Sequence, residues 1–307
     1  MRIIFLFISF FILFLYSCNG KPEGTVTSTD GSLIYYRTFG NGEPLLIING
    51  GPGMNSNGFE GLAKKLSEHN KTIIYDQRGT GKSALKQLDS STINLKLMMD
   101  DIESLRKALK IEKWSILGHS FGGMLASYYA TLYPQYVDKL ILSSSGGIDL
   151  DLLSYVSNSI SSKLSRVQLD SVNYWTTRID NGDTSHLALL GRGRNLAFAY
   201  VLNKKYIPVI AERLTQGNGT INQLMWSDFQ KVNFNCAEKL KTFKQPVLII
   251  QGKDDIIKAE TAEKAAQVLS NSRVVLMDHC IHYGWLDNEE TYFKEVNTFL
   301  ADNNQSK

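Results

Sequence analysis

This sequence has few cysteines, no large excess of charge of either sign, and no internal repeats. Only three cysteines occur among 307 residues, and the charged side chains nearly cancel, to a net charge of +3. A chain of this length buries about 75% of its unfolded surface, so its core needs neither a disulfide framework nor a structural metal. The mixed charges indicate no nucleic-acid partner and no anionic surface partner. Without repeats or low-complexity tracts, the length suits one large α/β domain or two small ones.

One long hydrophobic run stands at the N-terminus, over residues 3–16. It is short for a membrane span, which takes about 20 residues, and fits the apolar core of a signal peptide. The tetrapeptide LYSC at 15–18 resembles the lipobox of bacterial lipoproteins, although its tyrosine is bulky. We expect removal of residues 1–17, lipidation of Cys18 and a polar tether over 18–24. This predicts an exported, membrane-anchored lipoprotein of the bacterial envelope; a short uncleaved membrane anchor is the alternative.

Two further cysteines, Cys236 and Cys280, lie beyond this segment, and the sequence alone cannot pair them. We expect two buried free thiols, because a core of this size needs no covalent link. An export compartment would also permit a disulfide between them.

Short apolar runs alternate with stretches of helical spacing after an opening hairpin around the Asp30-Gly31 turn. Six runs are typical of buried parallel strands: 44–50, 72–77, 114–120, 137–145, 245–252 and 272–278. The alternation predicts an α/β fold with a mostly parallel, doubly wound sheet.

The alternation stops between residues 146 and 240, where no clean apolar strand occurs and several stretches have helical character. We therefore predict a helical cap at 146–240, inserted after the sixth strand. The core would then comprise residues 25–145 and 241–307.

Ser120 stands in the pentapeptide GHSFG (118–122), directly after an apolar run and directly before a helical one. That context is the one a nucleophile elbow requires, because a sharp turn lifts the serine hydroxyl clear of the sheet. The glycines on either side allow the turn, and the helix that follows presents free N–H groups. The alternative is that Ser120 is only a small residue in a glycine-rich turn.

A nucleophilic serine needs a base and an orienting acid, which in a doubly wound sheet lie after later strands. Asp254 and Asp255 follow one such strand, and His279 and His282 follow the next. The resulting order of Ser, Asp and His is the one expected of α/β-hydrolases. Spacing alone does not decide which aspartate is the acid or which histidine is the base.

An oxyanion hole is the remaining requirement. The segment NGGPG (49–53) follows an early strand, and its glycines allow backbone N–H groups to approach a developing oxyanion. The N–H of Phe121, directly after the nucleophile, would be the second donor.

Six segments share their pattern with one family: GGPG (50–53), DQRGTGKS (76–83), DIESLRKAL (101–109), GHSFGGMLA (118–126), GKDD (252–255) and HYGWLDNEETYFKEVNTFL (282–300). Together they resemble the proline iminopeptidases, serine aminopeptidases with the α/β-hydrolase fold. The resemblance implies Asp255 as acid, His282 as base, and the N–H groups of Gly51 and Phe121 as oxyanion donors. It implies no metal ion and no organic cofactor, and a structural role for the charges of DQRG.

Several positions depart from that family's usual pattern. Asn49 replaces the histidine before GGPG, and Phe121 replaces the tryptophan that often follows the nucleophile. Family members that remove N-terminal proline bind the substrate's ammonium group through cap glutamates, often within a Trp-Glu pair. Neither Trp175 nor Trp226 is followed by glutamate here. The candidate substitutes in the cap are Glu212, Glu238, Asp180, Asp183 and Asp228.

We expect a serine hydrolase, namely an aminopeptidase that releases N-terminal residues from small peptides or amides through an acyl-enzyme. A carboxylic ester or lactone hydrolase with the same triad is the nearest alternative. A non-catalytic lipoprotein that binds a ligand is the alternative from another class.

Overall fold

The computed structural model describes residues 22–302. The predicted signal peptide at 1–17, the lipidation site Cys18 and the first residues of the tether lie outside this range and stay predictions. Within residues 22–302, none of the helices has both the length and the apolar character needed to cross a membrane.

Eight strands form a single sheet: β1 (Glu23–Thr27), β2 (Leu33–Phe39), β3 (Glu43–Ile48), β4 (Asn70–Tyr75), β5 (Trp114–His119), β6 (Val137–Ser143), β7 (Val247–Gly252) and β8 (Ser272–Met277). Their spatial order is β1-β2-β4-β3-β5-β6-β7-β8. The hairpin of β1 and β2 pairs antiparallel and β2 joins β4 antiparallel, whereas all later pairs are parallel. The carboxyl ends of β3 to β8 therefore meet at one edge of the sheet.

Six helices belong to the sheet layers: α1 (Glu60–Leu66), α2 (Leu95–Ala108), α3 (Phe121–Leu132), α10 (Ala259–Val268), α11 (Gly284–Asp287) and α12 (Glu289–Ala301). Six more lie between β6 and β7: α4 (Val156–Ser162), α5 (Arg166–Asp180), α6 (His186–Leu196), α7 (Ile207–Leu214), α8 (Gly219–Lys231) and α9 (Ala237–Leu240). The predicted mostly parallel sheet with a helical insertion after the sixth strand is confirmed.

Hydrophobic side chains pack on both faces of the sheet. In β3, Leu46 and Ile48 join the core against α2 and α3, and Leu45 and Ile47 join the core against α1 and α12. Successive side chains of a strand point to opposite faces, which explains why β3 is apolar throughout rather than alternating.

Cys236 and Cys280 are both buried and free, so the expectation of two unpaired thiols is confirmed. Burial raises the pKa of the Cys236 thiol to about 12, which keeps it protonated at neutral pH.

A buried ion pair ties the end of β4 to helix α2. The side chain of Arg78 is completely buried and makes two hydrogen bonds to Asp101, at 2.8 and 2.6 Å. The guanidinium also reaches Asp30 at 3.0 Å and the carbonyl oxygen of Thr92 at 2.7 Å. Because these bonds satisfy the buried charge with fork geometry, Arg78 has a structural role, as the sequence indicated.

Replacing Asp101 with asparagine should lower the free energy of unfolding by about 3 kcal/mol, because it leaves the buried Arg78 charge undercompensated. Urea denaturation of the purified chain at neutral pH measures the change. Asp170→Asn is the matched control, because its ion pair with Arg166 lies on the surface, and it should cost less than about 1 kcal/mol. Equal effects of the two substitutions would contradict the role assigned to the buried pair.

Candidate active site

Ser120 forms the turn between β5 and α3 in a strained conformation. Its φ of 54° and ψ of −121° are adopted almost only by glycine in ordinary backbone. A Cβ added at Gly122 would lie 2.2 Å from the carbonyl oxygen of Ile48, so only glycine fits at this position in the first turn of α3. This geometry is the one expected of a nucleophile elbow.

Asp255 and His282 come together beyond the ends of β7 and β8. Nδ1 of His282 lies 2.8 Å from Oδ1 of Asp255, and both residues are buried. Asp255 is held further by the N–H of Ile257, which donates to the same oxygen at 3.1 Å. The alternatives left open by spacing, Asp254 and His279, are both exposed.

The contact defines the chemistry open to His282. When Nδ1–H donates to the carboxylate, Nε2 of the neutral ring carries a free lone pair and can accept a proton. His282 and Ser120 line the same cavity. The arrangement therefore supplies a hydroxyl, a base and an orienting carboxylate on three separate loops at one sheet edge.

A second histidine, His119, supports the ring of His282. The two ring centres are 4.6 Å apart, and the rings of Phe59 and Trp285 also pack against His119. Burial, with His282 as the next cause, holds the pKa of His119 well below its usual value. His119 is therefore a neutral packing partner at neutral pH. The sequence analysis assigned no role to His119, since the only signal in the sequence was its position next to Ser120.

The glycine loop after β3 lies directly against the nucleophile. A Cβ added at Gly50 would lie 2.7 Å from the Cβ of Ser120, and Gly51 has a φ of +73°. Among residues 22–302, no acceptor receives a hydrogen bond from the N–H of Gly51 or of Phe121. Both predicted oxyanion donors thus remain available.

Two residues of the DQRG motif brace this loop from the sheet. Oδ1 of Asp76 accepts hydrogen bonds from the N–H and the hydroxyl of Ser56, at 2.9 and 2.7 Å. Gln77 donates through Nε2 to the carbonyl oxygen of Asn49 at 2.8 Å. The motif therefore fixes both ends of the loop that carries Gly50 and Gly51.

A cavity of about 530 Å³ opens above Ser120, between the sheet edge and the cap. The core side contributes Ser120, His282 and the glycine loop, and the cap contributes charged and aromatic side chains, including Asp180, Arg192 and Trp226. Across residues 22–302, no three His, Cys, Asp or Glu side chains come together in a group that could hold a metal ion.

The structure distinguishes the five cap carboxylates that the sequence could not rank. Glu212 faces His186 at 3.0 Å, Glu238 pairs with Lys241 and Asp183 pairs with Arg178, all away from the cavity. Asp228 accepts from the N–H of Leu95 at 2.8 Å, so it caps α2. Asp180 alone among these five lines the cavity, and in the described chain it has no hydrogen-bond or ion-pair partner.

Comparisons with known proteins agree with this architecture. A family model described as the alpha/beta hydrolase fold matches residues 43–289. Proline iminopeptidase from Heyndrickxia coagulans is 27% identical over 288 residues, covering 91% of this chain and 98% of that protein. Proline iminopeptidase from Lactobacillus crispatus (strain ST1) is 27% identical over 280 residues, covering 87% of this chain and 94% of that protein. A solved alpha/beta fold family hydrolase from Bacillus anthracis superposes with a TM-score of 0.73 at 20% identity, covering 90% of this chain and 98% of that one.

The resemblance to proline iminopeptidases inferred from the six motifs is therefore confirmed over most of the chain's length. The matched family range runs from β3 to the start of α12 and includes every element that carries Ser120, Asp255 or His282. The chain belongs to the α/β-hydrolase fold family.

Proposed function

We propose that the protein is a serine hydrolase in which Ser120 is the nucleophile, His282 the general base and Asp255 the acid that orients it. The observation that carries this proposal is the 2.8 Å contact of His282 with Asp255 beside a cavity that also exposes Ser120. Asp255 holds the imidazole in the required tautomer and stabilises its charged form.

In the first half-reaction, Oγ of Ser120 bonds to the substrate carbonyl carbon while Nε2 of His282 takes the hydroxyl proton. The oxygen becomes an oxyanion that the N–H groups of Gly51 and Phe121 bind. His282 then passes its proton to the leaving group, whose bond to carbon breaks and leaves an acyl-enzyme. Water, deprotonated by the same histidine, releases the acid and restores Ser120.

The substrate is a small peptide or amide with a free N-terminus, which makes the enzyme an aminopeptidase. The relatives named proline iminopeptidase support this reaction class. Asp180 supports it independently, because it is a cavity carboxylate without a partner at the last residue of α5. The C-terminal end of a helix is the negative end of its dipole, which disfavours a carboxylate there. An ammonium group at this place is therefore attracted by the carboxylate of Asp180 and by the helix end.

We further propose that the N-terminal segment is an export and lipidation signal, and that the protein acts from the membrane surface of a bacterial envelope, held by lipid on Cys18. The apolar run at 3–16, whose last two residues begin LYSC at 15–18, supports this location. Such anchoring would be stable, because a lipoprotein cysteine carries more than one acyl chain.

Ser120→Ala should lower kcat by about 10⁴-fold or more without unfolding the chain, because it removes only the nucleophilic oxygen.

Asp255→Asn should lower kcat by about 10⁴-fold, because it disturbs the tautomer of His282. Steady-state hydrolysis of aminoacyl anilides measures both. Asp254→Asn is the matched control at the adjacent exposed position and should stay close to wild type. A larger loss in Asp254→Asn than in Asp255→Asn would reassign the acid.

Asp180→Asn should raise KM for aminoacyl anilides by about 10- to 100-fold, because a charge-assisted hydrogen bond to the ammonium group is lost. Hydrolysis of short acyl esters, which lack that group, should not change. Asp183→Asn is the control, because Asp183 already pairs with Arg178. The panel should include prolyl and other aminoacyl anilides. Activity of the wild type on esters alone would contradict the aminopeptidase assignment and favour an ester hydrolase.

Cys18→Ser should move the protein from the membrane fraction to the soluble fraction of the producing bacterium, because the lipid attachment atom is lost. Fractionation and the mass of the mature N-terminus measure the outcome. Continued membrane retention of an uncleaved chain would instead support a hydrophobic anchor at 3–16.

A further inference from the structure

Arg213 brings a positive charge from the cap into the protein interior. It lies in α7 and is only 3% exposed. Its side chain packs over the ring of Phe59, with 4.7 Å from the guanidinium carbon to the ring centre. In the part of the chain that the structure describes, Arg213 forms no ion pair, and its hydrogen bonds go to neutral oxygens. A buried arginine without a carboxylate is costly, so its position calls for a reason beyond packing.

The hydrogen bonds of Arg213 converge on the oxyanion loop. Nη2 donates to the carbonyl oxygen of Gly50 at 3.0 Å, and Nη1 donates to that of Asn55 at 3.4 Å. Nε donates to the hydroxyl of Tyr283, the residue after His282, at 3.1 Å. One guanidinium thus joins the cap to the glycine loop and to the loop that carries the general base.

The bond to Gly50 constrains the neighbouring donor. The carbonyl of Gly50 and the N–H of Gly51 belong to one planar trans peptide, so they point in opposite directions. Nδ2 of Asn49 donates to the same carbonyl oxygen at 3.0 Å. Two glycines in succession allow this peptide to rotate at little cost, so these two bonds determine where the N–H of Gly51 points. A cation at the carbonyl also polarises the peptide toward a stronger N–H donor.

We propose that Arg213 is a positioning residue of the oxyanion hole, which acts from the cap by orienting the Gly50–Gly51 peptide toward Ser120. This inference rests on the proposed function, because it assigns the N–H of Gly51 to the oxyanion. Arg213 differs in this respect from Arg192, which lines the same cavity but makes no hydrogen bond or ion pair within residues 22–302.

The rate of inactivation by an alkyl fluorophosphonate tests the role without depending on substrate specificity. Oγ of Ser120 bonds to phosphorus, fluoride leaves, and the hydroxyl proton passes to His282, while the phosphoryl oxygen occupies the oxyanion position. Arg213→Met in the full chain keeps an unbranched side chain that reaches about as far as Nε, and it removes every donor. Its inactivation rate should fall by about 10- to 100-fold. In aminoacyl anilide hydrolysis, kcat should fall in parallel while KM stays within about threefold.

Arg194→Met is the control, because Arg194 is an exposed arginine of the same cap that neither lines the cavity nor contacts the loop, and its inactivation rate should stay near wild type. An equal fall in both variants would assign the effect to general electrostatics and overturn the proposal. A folded Arg213→Met with the wild-type rate, or with a raised KM alone, would overturn it as well. The second outcome would make Arg213 a substrate ligand.

If Arg213→Met fails to fold, Arg213→Lys decides the question. It keeps the charge and most of the stem but cannot bond to Gly50, Asn55 and Tyr283 with fork geometry. A reduced rate at an unchanged melting temperature supports the proposal, and a wild-type rate overturns it. A wild-type chain that does not react at Ser120 would instead refute the serine mechanism and with it the role of Arg213.

Discussion

The oxyanion loop can approach Ser120 only because Gly50 has no side chain. A Cβ at this position would lie 2.7 Å from the Cβ of Ser120 and 3.0 Å from the carbonyl oxygen of His119. The glycine contact brings the loop after β3 against the turn after β5, so that an N–H donor and a nucleophile share one cavity. Glycine is also the most permissive residue in the backbone. A loop made of glycine for close approach therefore cannot hold its own shape.

Other residues supply that shape from three directions. From the sheet, Asp76 accepts two hydrogen bonds from Ser56, and Gln77 donates to the loop backbone. From within the loop, Asn49 bridges the carbonyl oxygens of Gly50 and Met54, both at 3.0 Å. From the cap, Arg213 completes the set. This arrangement also explains the departure at position 49, because an asparagine amide can donate to both carbonyls at once.

The features that depend on local pattern could be predicted from the sequence. Apolar runs followed by glycine or polar residues located the strands, and chemistry-bearing residues directly after strands located the triad. Asp255 needed the family resemblance, because Asp254 beside it is equally polar and burial is a tertiary property. Arg213 could not be identified at all, and Asp180 could not be ranked among the five candidate carboxylates of the cap. Arg213 contacts loop residues 158 and 163 positions away, and Asp180 differs from the other four candidates in lining the cavity and in lacking a partner, which are tertiary properties.

Helix α7 combines two tasks in this chain. Leu214 lines the cavity, and the neighbouring Arg213 reaches the carbonyl of Gly50. Backbone hydrogen bonds make the turns of a helix move together. A displacement of α7 that widens the cavity would therefore lengthen the bond from Arg213 to Gly50, which measures 3.0 Å here, and would release the peptide that carries the N–H of Gly51. On the proposed mechanism, substrate fit under the cap and activation of the carbonyl at Ser120 thus depend on the same helix position.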